Sequence, residues 1–217
     1  MQILKSTVGR KILMALTGLG MVGFVCVHLL GNSSIFVGGI NAYAEHLHSL
    51  GPLVWAFRLV MLALITIHVI YGIQLTLENS AANPQGYAVT KHVKATFSSK
   101  TMIWTGVIIA LFVVGHILHF TARVFPDVSA FAGQVPGNVY GMVVGSFQHG
   151  IVAFLYIVAM AALFLHLTHG IQSFIQTLGW NNDRTQPGVT KGGRALAFIL
   201  GVGYIAIPLS ILIGILK

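Results

Sequence analysis

Five long apolar stretches, separated by shorter polar ones, dominate the chain: about Ile12–Phe36, Leu53–Leu77, Met102–Val124, Ile151–Leu178 and Ala195–Leu216. Each is long enough for a helix that crosses the hydrocarbon core, which takes about 20 residues. The pattern predicts an all-α integral membrane protein with five transmembrane helices. The connections are too short for a separate soluble domain, so residues 1–217 form one membrane domain. Lys5, Arg10 and Lys11 precede the first stretch, as in a cleaved leader. That stretch is longer than a leader's apolar region, however, and no Ala-x-Ala-like site follows it, so it is expected to be retained.

The polar interruptions repeat. Thr17-Gly18, Phe24-Val25 and His28-Leu29-Leu30 return at identical offsets as Thr105-Gly106, Phe112-Val113 and His116-Ile117-Leu118. His68, with Gly72-Ile73-Gln74 after it, returns as His166 with Gly170-Ile171-Gln172. This is an internal two-helix repeat covering helices 1–4. An ionisable side chain in hydrocarbon is costly, so four histidines placed by a repeat point to function. One intramembrane histidine on each of four helices reads as two bis-histidine haem sites, with His28, His68, His116 and His166 ligating iron.

Depth pairs these ligands. At about 1.5 Å rise per residue, His28 lies roughly 24 Å from Ile12 and His116 roughly 21 Å from Met102. By the same rise, His68 lies about 14 Å before Leu77 and His166 about 18 Å before Leu178. With antiparallel threading, His28 and His116 form an outer pair, and His68 and His166 an inner pair. Two haems stacked across the membrane follow. Gly72 and Gly170, four residues after their histidines, lie on the same helix face. Without a Cβ they would let a flat macrocycle approach, although glycine is also common at membrane helix contacts.

His119 and His169 fall one turn from His116 and His166 but outside the repeat positions. His119 is a candidate for a haem propionate or a quinone, and His169 reads as an ordinary helix-contact group. His46, His48, His92 and His149 fall in or beside loops.

Composition agrees with a membrane protein: 56% of residues are hydrophobic, 7% are charged, and mean hydropathy is +0.86. A single cysteine, Cys26, excludes an internal disulfide, a cysteine-ligated iron–sulfur cluster and a covalent haem attachment. Any haem is therefore b-type. Cys26 itself reads as a small buried thiol.

The net charge of +8 is distributed unevenly. Lys5, Arg10, Lys11, Lys91, Lys94, Lys100, Arg184, Lys191 and Arg194 fall on one side, and Arg58, Arg123 and Lys217 on the other. The positive-inside rule then puts the N-terminus in the cytoplasm. No basic module exists outside the loops, so nucleic acid is not an expected partner.

At this point the chain resembles the cytochrome b membrane anchor of bacterial succinate dehydrogenases and quinol:fumarate reductases, of the five-helix, di-haem, single-anchor type. The resemblance covers nearly the whole chain. It rests on the Thr-Gly-x9-His pattern ending at His116, the His-x-x-x-Gly from His166 to Gly170, and the Thr177–Asn181 helix exit. It also rests on the Asn41–Leu50 segment and on Arg58, ten residues before His68. One departure is the longer stretch between the third and fourth histidines, through Pro126 and Pro136.

The resemblance implies axial histidines paired first with third and second with fourth. It implies two haem b groups, menaquinone as substrate, and residence in the bacterial cytoplasmic (inner) membrane. The partners implied are a flavoprotein subunit with FAD, an iron–sulfur subunit and membrane lipid, with the heterotrimer open to higher oligomerisation. The chain would relay electrons between menaquinone and the soluble subunits, and the dicarboxylate site would lie on a partner. Other classes compete. A histidine-relay transporter would need carboxylates at the midplane, yet Glu45, Glu78, Asp127 and Asp183 all fall near helix ends or loops. A hydrogenase or formate dehydrogenase anchor is a further b-type alternative. A bc-type cytochrome b takes two ligands from one helix, where this chain has one on each.

Menaquinol oxidation releases two protons and needs an acceptor. Glu45, expected in the outer loop before helix 2, is the candidate for that role. Arg58, Arg123 and His119 are candidates for contacting haem propionates or the quinone.

Overall fold

The computed structural model describes residues 6–82, 95–126, 128 and 137–217. Lys5, Lys91, His92, Lys94, Asp127 and Pro136 lie outside the described residues.

Among the described residues all regular structure is helical, and five helices are long and apolar enough to cross a membrane. The first, α1, spans Thr7–Ser33 and continues as a 3₁₀ turn over Ser34–Val37. The Ser6 hydroxyl caps its start, accepting from the Gly9 amide at 3.0 Å. A short helix α2, Ile40–Ser49, precedes the second span α3, Pro52–Ala81. A single turn α4, Phe97–Lys100, leads into the third span α5, Met102–His116. That span ends in a π turn over Ile117–Thr121, closed by the Ala122 amide donating to the Ile117 carbonyl at 2.8 Å. A second short helix α6, Val139–Gln148, precedes α7, Gly150–Thr177, and the last span is α8, Gln186–Leu212.

Several bounds differ from the apolar runs. The first span begins at Thr7 rather than Ile12, and the last at Gln186 rather than Ala195. Arg10, Lys11, Lys191 and Arg194 are therefore helical. Hydrogen bonding continues past the point where side chains become polar, because a helix that emerges from the membrane keeps its backbone bonds in water. At the other end of the third span, the regular helix stops at His116 and the π turn at Thr121, short of Val124.

The spans pack as two hairpins. α1 lies against α3, α5 against α7, and α7 closes the bundle against α1, while α8 packs outside on α7 and α1. Glycine allows α8 to approach closely. A Cβ on Gly193 would sit 3.1 Å from Ile171, one on Gly201 3.1 Å from Phe164, and one on Gly203 2.7 Å from Leu29. Small residues at such contacts are how membrane helices associate, since lipid offers no hydrophobic drive between them. Leu29, Leu167, Ile171, Ala197 and Leu200 fill this seam.

The outward faces carry large apolar side chains in the open, among them Leu30, Leu111 and Ile151. In water this would be an aggregation surface; on spans of this length it is the lipid contact. The end of the bundle away from the N-terminus is closed by α2 and α6. Ile35, Ile40, Val143, Phe147, Ile207 and Ile211 pack together there, and the Asn41 side chain accepts from the Tyr140 amide at 2.8 Å.

Candidate functional site

The four repeated histidines meet inside the bundle as two facing pairs. His28 on α1 and His116 on α5 have ring centroids 6.0 Å apart, with planes at 85°. His68 on α3 and His166 on α7 have centroids 6.4 Å apart, with planes at 64°. Each pair thus takes one residue from each hairpin. The His68/His166 pair lies toward the N-terminal end of the bundle, at the level of Thr17 and Thr105. Those threonines precede His28 and His116 by 11 residues on their own helices. At about 1.5 Å rise, the two pairs therefore sit at levels roughly 16 Å apart.

The spacing suits a metal. Two imidazole nitrogens, each about 2.0–2.1 Å from one ion, place their ring centroids roughly 6 Å apart. Both pairs meet that condition. A cluster of three or more histidine, cysteine or carboxylate side chains does not occur among the described residues. The donor set is two imidazoles per site, which is what a macrocycle with four nitrogens of its own requires. A Cβ on Gly72 or Gly170 would meet no atom within 4 Å, so there is lateral room beside His68 and His166.

Different groups orient the two pairs. His28 stacks on Phe24, at 5.1 Å and 22°, and His116 stacks on Phe112, at 5.6 Å and 28°. Each phenylalanine precedes its histidine by one turn, so the repeat carries its own aromatic support. Tyr204 of α8 flanks His28 at 6.2 Å, its hydroxyl donating to the Val25 carbonyl at 2.7 Å. The Tyr156 hydroxyl of α7 lies 3.3 Å from His116 Nδ1 and 2.9 Å from His119 Nδ1. At the other pair, His68 Nδ1 is 3.1 Å from the Met14 carbonyl and 3.3 Å from Thr17 Oγ1. His166 Nδ1 is 3.2 Å from Thr105 Oγ1.

The remaining expected site residues are scattered. His119 is buried within the π turn, against Phe120, Phe125 and Tyr156. His169 is half-buried on α7. Arg58 lies 4.9 Å over the Trp55 ring, and both line a cavity with His48, Gly51, Pro52 and Val54. Arg123 follows the π turn in a left-handed conformation, φ 55°. Glu45 is exposed, and the segment expected to be a loop is the helix α2. Among the described residues it makes no ion pair, the one such pair being Arg10 with Glu78 at the N-terminal end. Glu45, Arg58, Arg123 and His119 are thus not drawn into one cluster.

The profile of the succinate dehydrogenase/fumarate reductase transmembrane subunit matches residues 76–206, more than half of the chain. The chain belongs to this family. Its members are membrane anchors of complexes with flavoprotein and iron–sulfur subunits, and are cytochromes b that bind haem. This chain is accordingly a multi-pass membrane subunit of a succinate dehydrogenase or fumarate reductase complex, itself without the dicarboxylate chemistry. No curated protein and no solved structure matches it.

The matched region holds Thr105, His116, Tyr156 and His166 but neither His28 nor His68. These two are related to His116 and His166 by the internal repeat and by the ring pairs they form with them. Sequence reasoning assigned no role to Thr17, Thr105 or Tyr156. The repeat itself marked the threonines, because Thr-Gly recurs with the histidine. Tyr156 has no counterpart in that pattern and carried no signal.

Proposed function

We propose that the chain is a di-haem cytochrome b anchor of a succinate:menaquinone or menaquinol:fumarate oxidoreductase. The observation that carries this reading is the pair of facing histidine couples, at 6.0 and 6.4 Å, inside a four-span bundle. His28 with His116, and His68 with His166, would hold one haem b each. Bound between them, haem supplies reversible one-electron chemistry, which the apolar surroundings keep away from water. The side chains do the positioning. Nδ1 of His68 is taken up by a carbonyl and a hydroxyl and that of His166 by a hydroxyl, so Nε2 would be the nitrogen left to hold a haem iron. Phe24 and Phe112 hold the other two rings by stacking.

The N-terminal end of the bundle, with Arg10, Lys11, Lys100, Arg184, Lys191 and Arg194, is the cytoplasmic face on this reading, and the soluble subunits dock there. The membrane is the bacterial inner membrane. Menaquinol gives up two electrons and two protons at the opposite end, and Glu45 is the proposed proton acceptor there, its carboxylate open to water on α2. Arg58, Arg123 and His119 are proposed for propionates or quinone. In the complex, Glu45→Gln is expected to abolish menaquinol oxidation and to leave dye-linked fumarate reduction unchanged. An unchanged menaquinol rate removes Glu45 from the site.

The test of the whole reading is a reduced-minus-oxidised spectrum of the purified chain, with haem counted per polypeptide. Two low-spin b haems per chain are expected. None, or one, refutes the di-haem assignment.

A further inference from the structure

The duplicated Thr-Gly step serves histidines on neighbouring helices rather than its own. Thr17 on α1 reaches His68 on α3, with 3.3 Å between Oγ1 and Nδ1, and Thr105 on α5 reaches His166 on α7, with 3.2 Å. The following glycine lies beneath the same ring. A Cβ on Gly18 would be 3.3 Å from His68 Cε1, and one on Gly106 would be 3.4 Å from His166 Cε1. Two hairpins therefore repeat one three-part arrangement: a hydroxyl at Nδ1, a glycine under Cε1, and an imidazole paired with its partner.

A threonine in a membrane helix commonly returns its hydroxyl proton to its own backbone, and both do so here. Thr17 Oγ1 donates to the carbonyls of Leu13 and Met14, at 2.8 and 3.0 Å. Thr105 Oγ1 donates to those of Thr101 and Met102, both at 3.1 Å. That habit explains neither the lateral approach to a histidine nor its recurrence in both hairpins. It does determine the polarity of the contact. With its proton already committed, each hydroxyl offers the imidazole only a lone pair, so Nδ1 must carry the hydrogen and donate. The tautomer follows, with Nε2 bare.

We infer that Thr17 and Thr105 are positioning residues for the axial imidazoles of His68 and His166, and that Gly18 and Gly106 give those rings room to turn. The inference rests on the bis-histidine reading above. An acceptor on Nδ1–H raises the basicity of a metal-bound imidazole and fixes its orientation. More electron donation favours the ferric form, so the hydroxyls hold this haem's potential down. At the other pair, the group at His116 Nδ1 is the phenol of Tyr156 rather than a threonine hydroxyl.

The experiment uses the purified full-length chain with Thr105→Val, Thr105→Ser and the same two changes at Thr17. Valine keeps the shape and removes the acceptor; serine restores the acceptor and removes the methyl group. Haem per chain is counted, and the midpoint potentials are titrated in the dark-equilibrated protein. The component that vanishes in His166→Ala identifies the His68/His166 site.

The expected result in both valine variants is an upward shift of that component alone, with the serine variants returning to the wild-type value. Loss of that one haem in a valine variant, restored by serine, also supports the role. Unchanged potentials at full haem content overturn it, as does a downward shift. Equal loss of haem in the valine and serine variants makes the threonines packing residues and overturns it too. A wild-type chain that does not hold two haems refutes the di-haem reading together with this inference, whereas unchanged potentials with two haems refute this inference alone.

Discussion

His28 and His116 face one another at 6.0 Å and are 88 residues apart in the chain, the same offset that separates Thr17 from Thr105. Two copies of one helix thus meet through equivalent positions at one depth and serve the second pair through equivalent positions at another. α1 and α5 each do both, with phenylalanine and histidine at one level and threonine and glycine at the other.

Removing a ring from either pair should therefore cost one centre and spare its neighbour. His166→Ala is expected to lose one low-spin b haem and to retain the other. His169→Ala, on the half-buried flank of α7, is expected to keep both. A pyridine haemochrome assay against polypeptide concentration distinguishes these outcomes, and two haems in the His166→Ala protein would sink the assignment.

Tyr156→Phe removes the hydroxyl that lies against both His116 and His119. His119 is 6% exposed, and losing one hydrogen bond in that apolar setting is expected to cost about 0.5–1.5 kcal/mol. Thermal unfolding in detergent should occur at a lower temperature while haem content stays at two. The midpoint of the His28/His116 component should move, and that of the other should not.

Gly31 lies against the ring of Tyr43, and a Cβ there would overlap it. Gly31→Ala is expected to push α2 away from α1 and to destabilise the protein by about 1–3 kcal/mol, as overpacking does. Limited proteolysis near residues 38–51 should speed up, with the spectrum of the His68/His166 haem unchanged. Intact resistance to protease would mean that the ring simply swings aside.

The orientation can be read with single-cysteine labelling in a Cys26→Ser background. A cysteine at Thr185 should react with a membrane-impermeant maleimide only from the cytoplasmic side, and only until the soluble subunits bind. A cysteine replacing Lys217 should react from outside. Labelling of position 185 on intact cells would invert the protein and exchange the order of its centres.

Much of this architecture is legible in the amino-acid order, because lipid imposes a simple rule: about 20 apolar residues or no crossing. All five spans follow from that rule, and antiparallel threading then places His28 level with His116 and His68 level with His166. The short helices α2 and α6 did not stand out, being ten residues each and too polar or too brief to register as spans. Nor did the helical turns holding Arg10 and Lys191, where hydropathy ends before hydrogen bonding does. The threonine contacts were invisible for another reason. Thr17 and His68 are 51 residues apart, Thr105 and His166 are 61, and nothing local to either residue names its partner.

Each facing pair draws one ring from the α1/α3 hairpin and one from the α5/α7 hairpin. Neither half of the protein, made alone, owns a complete histidine pair. On the di-haem reading, a haem held across that seam would work as a rivet, and two at different depths would resist rotation as well as separation. Maturation and assembly would then become one event, with the two hairpins locked together as each centre is filled.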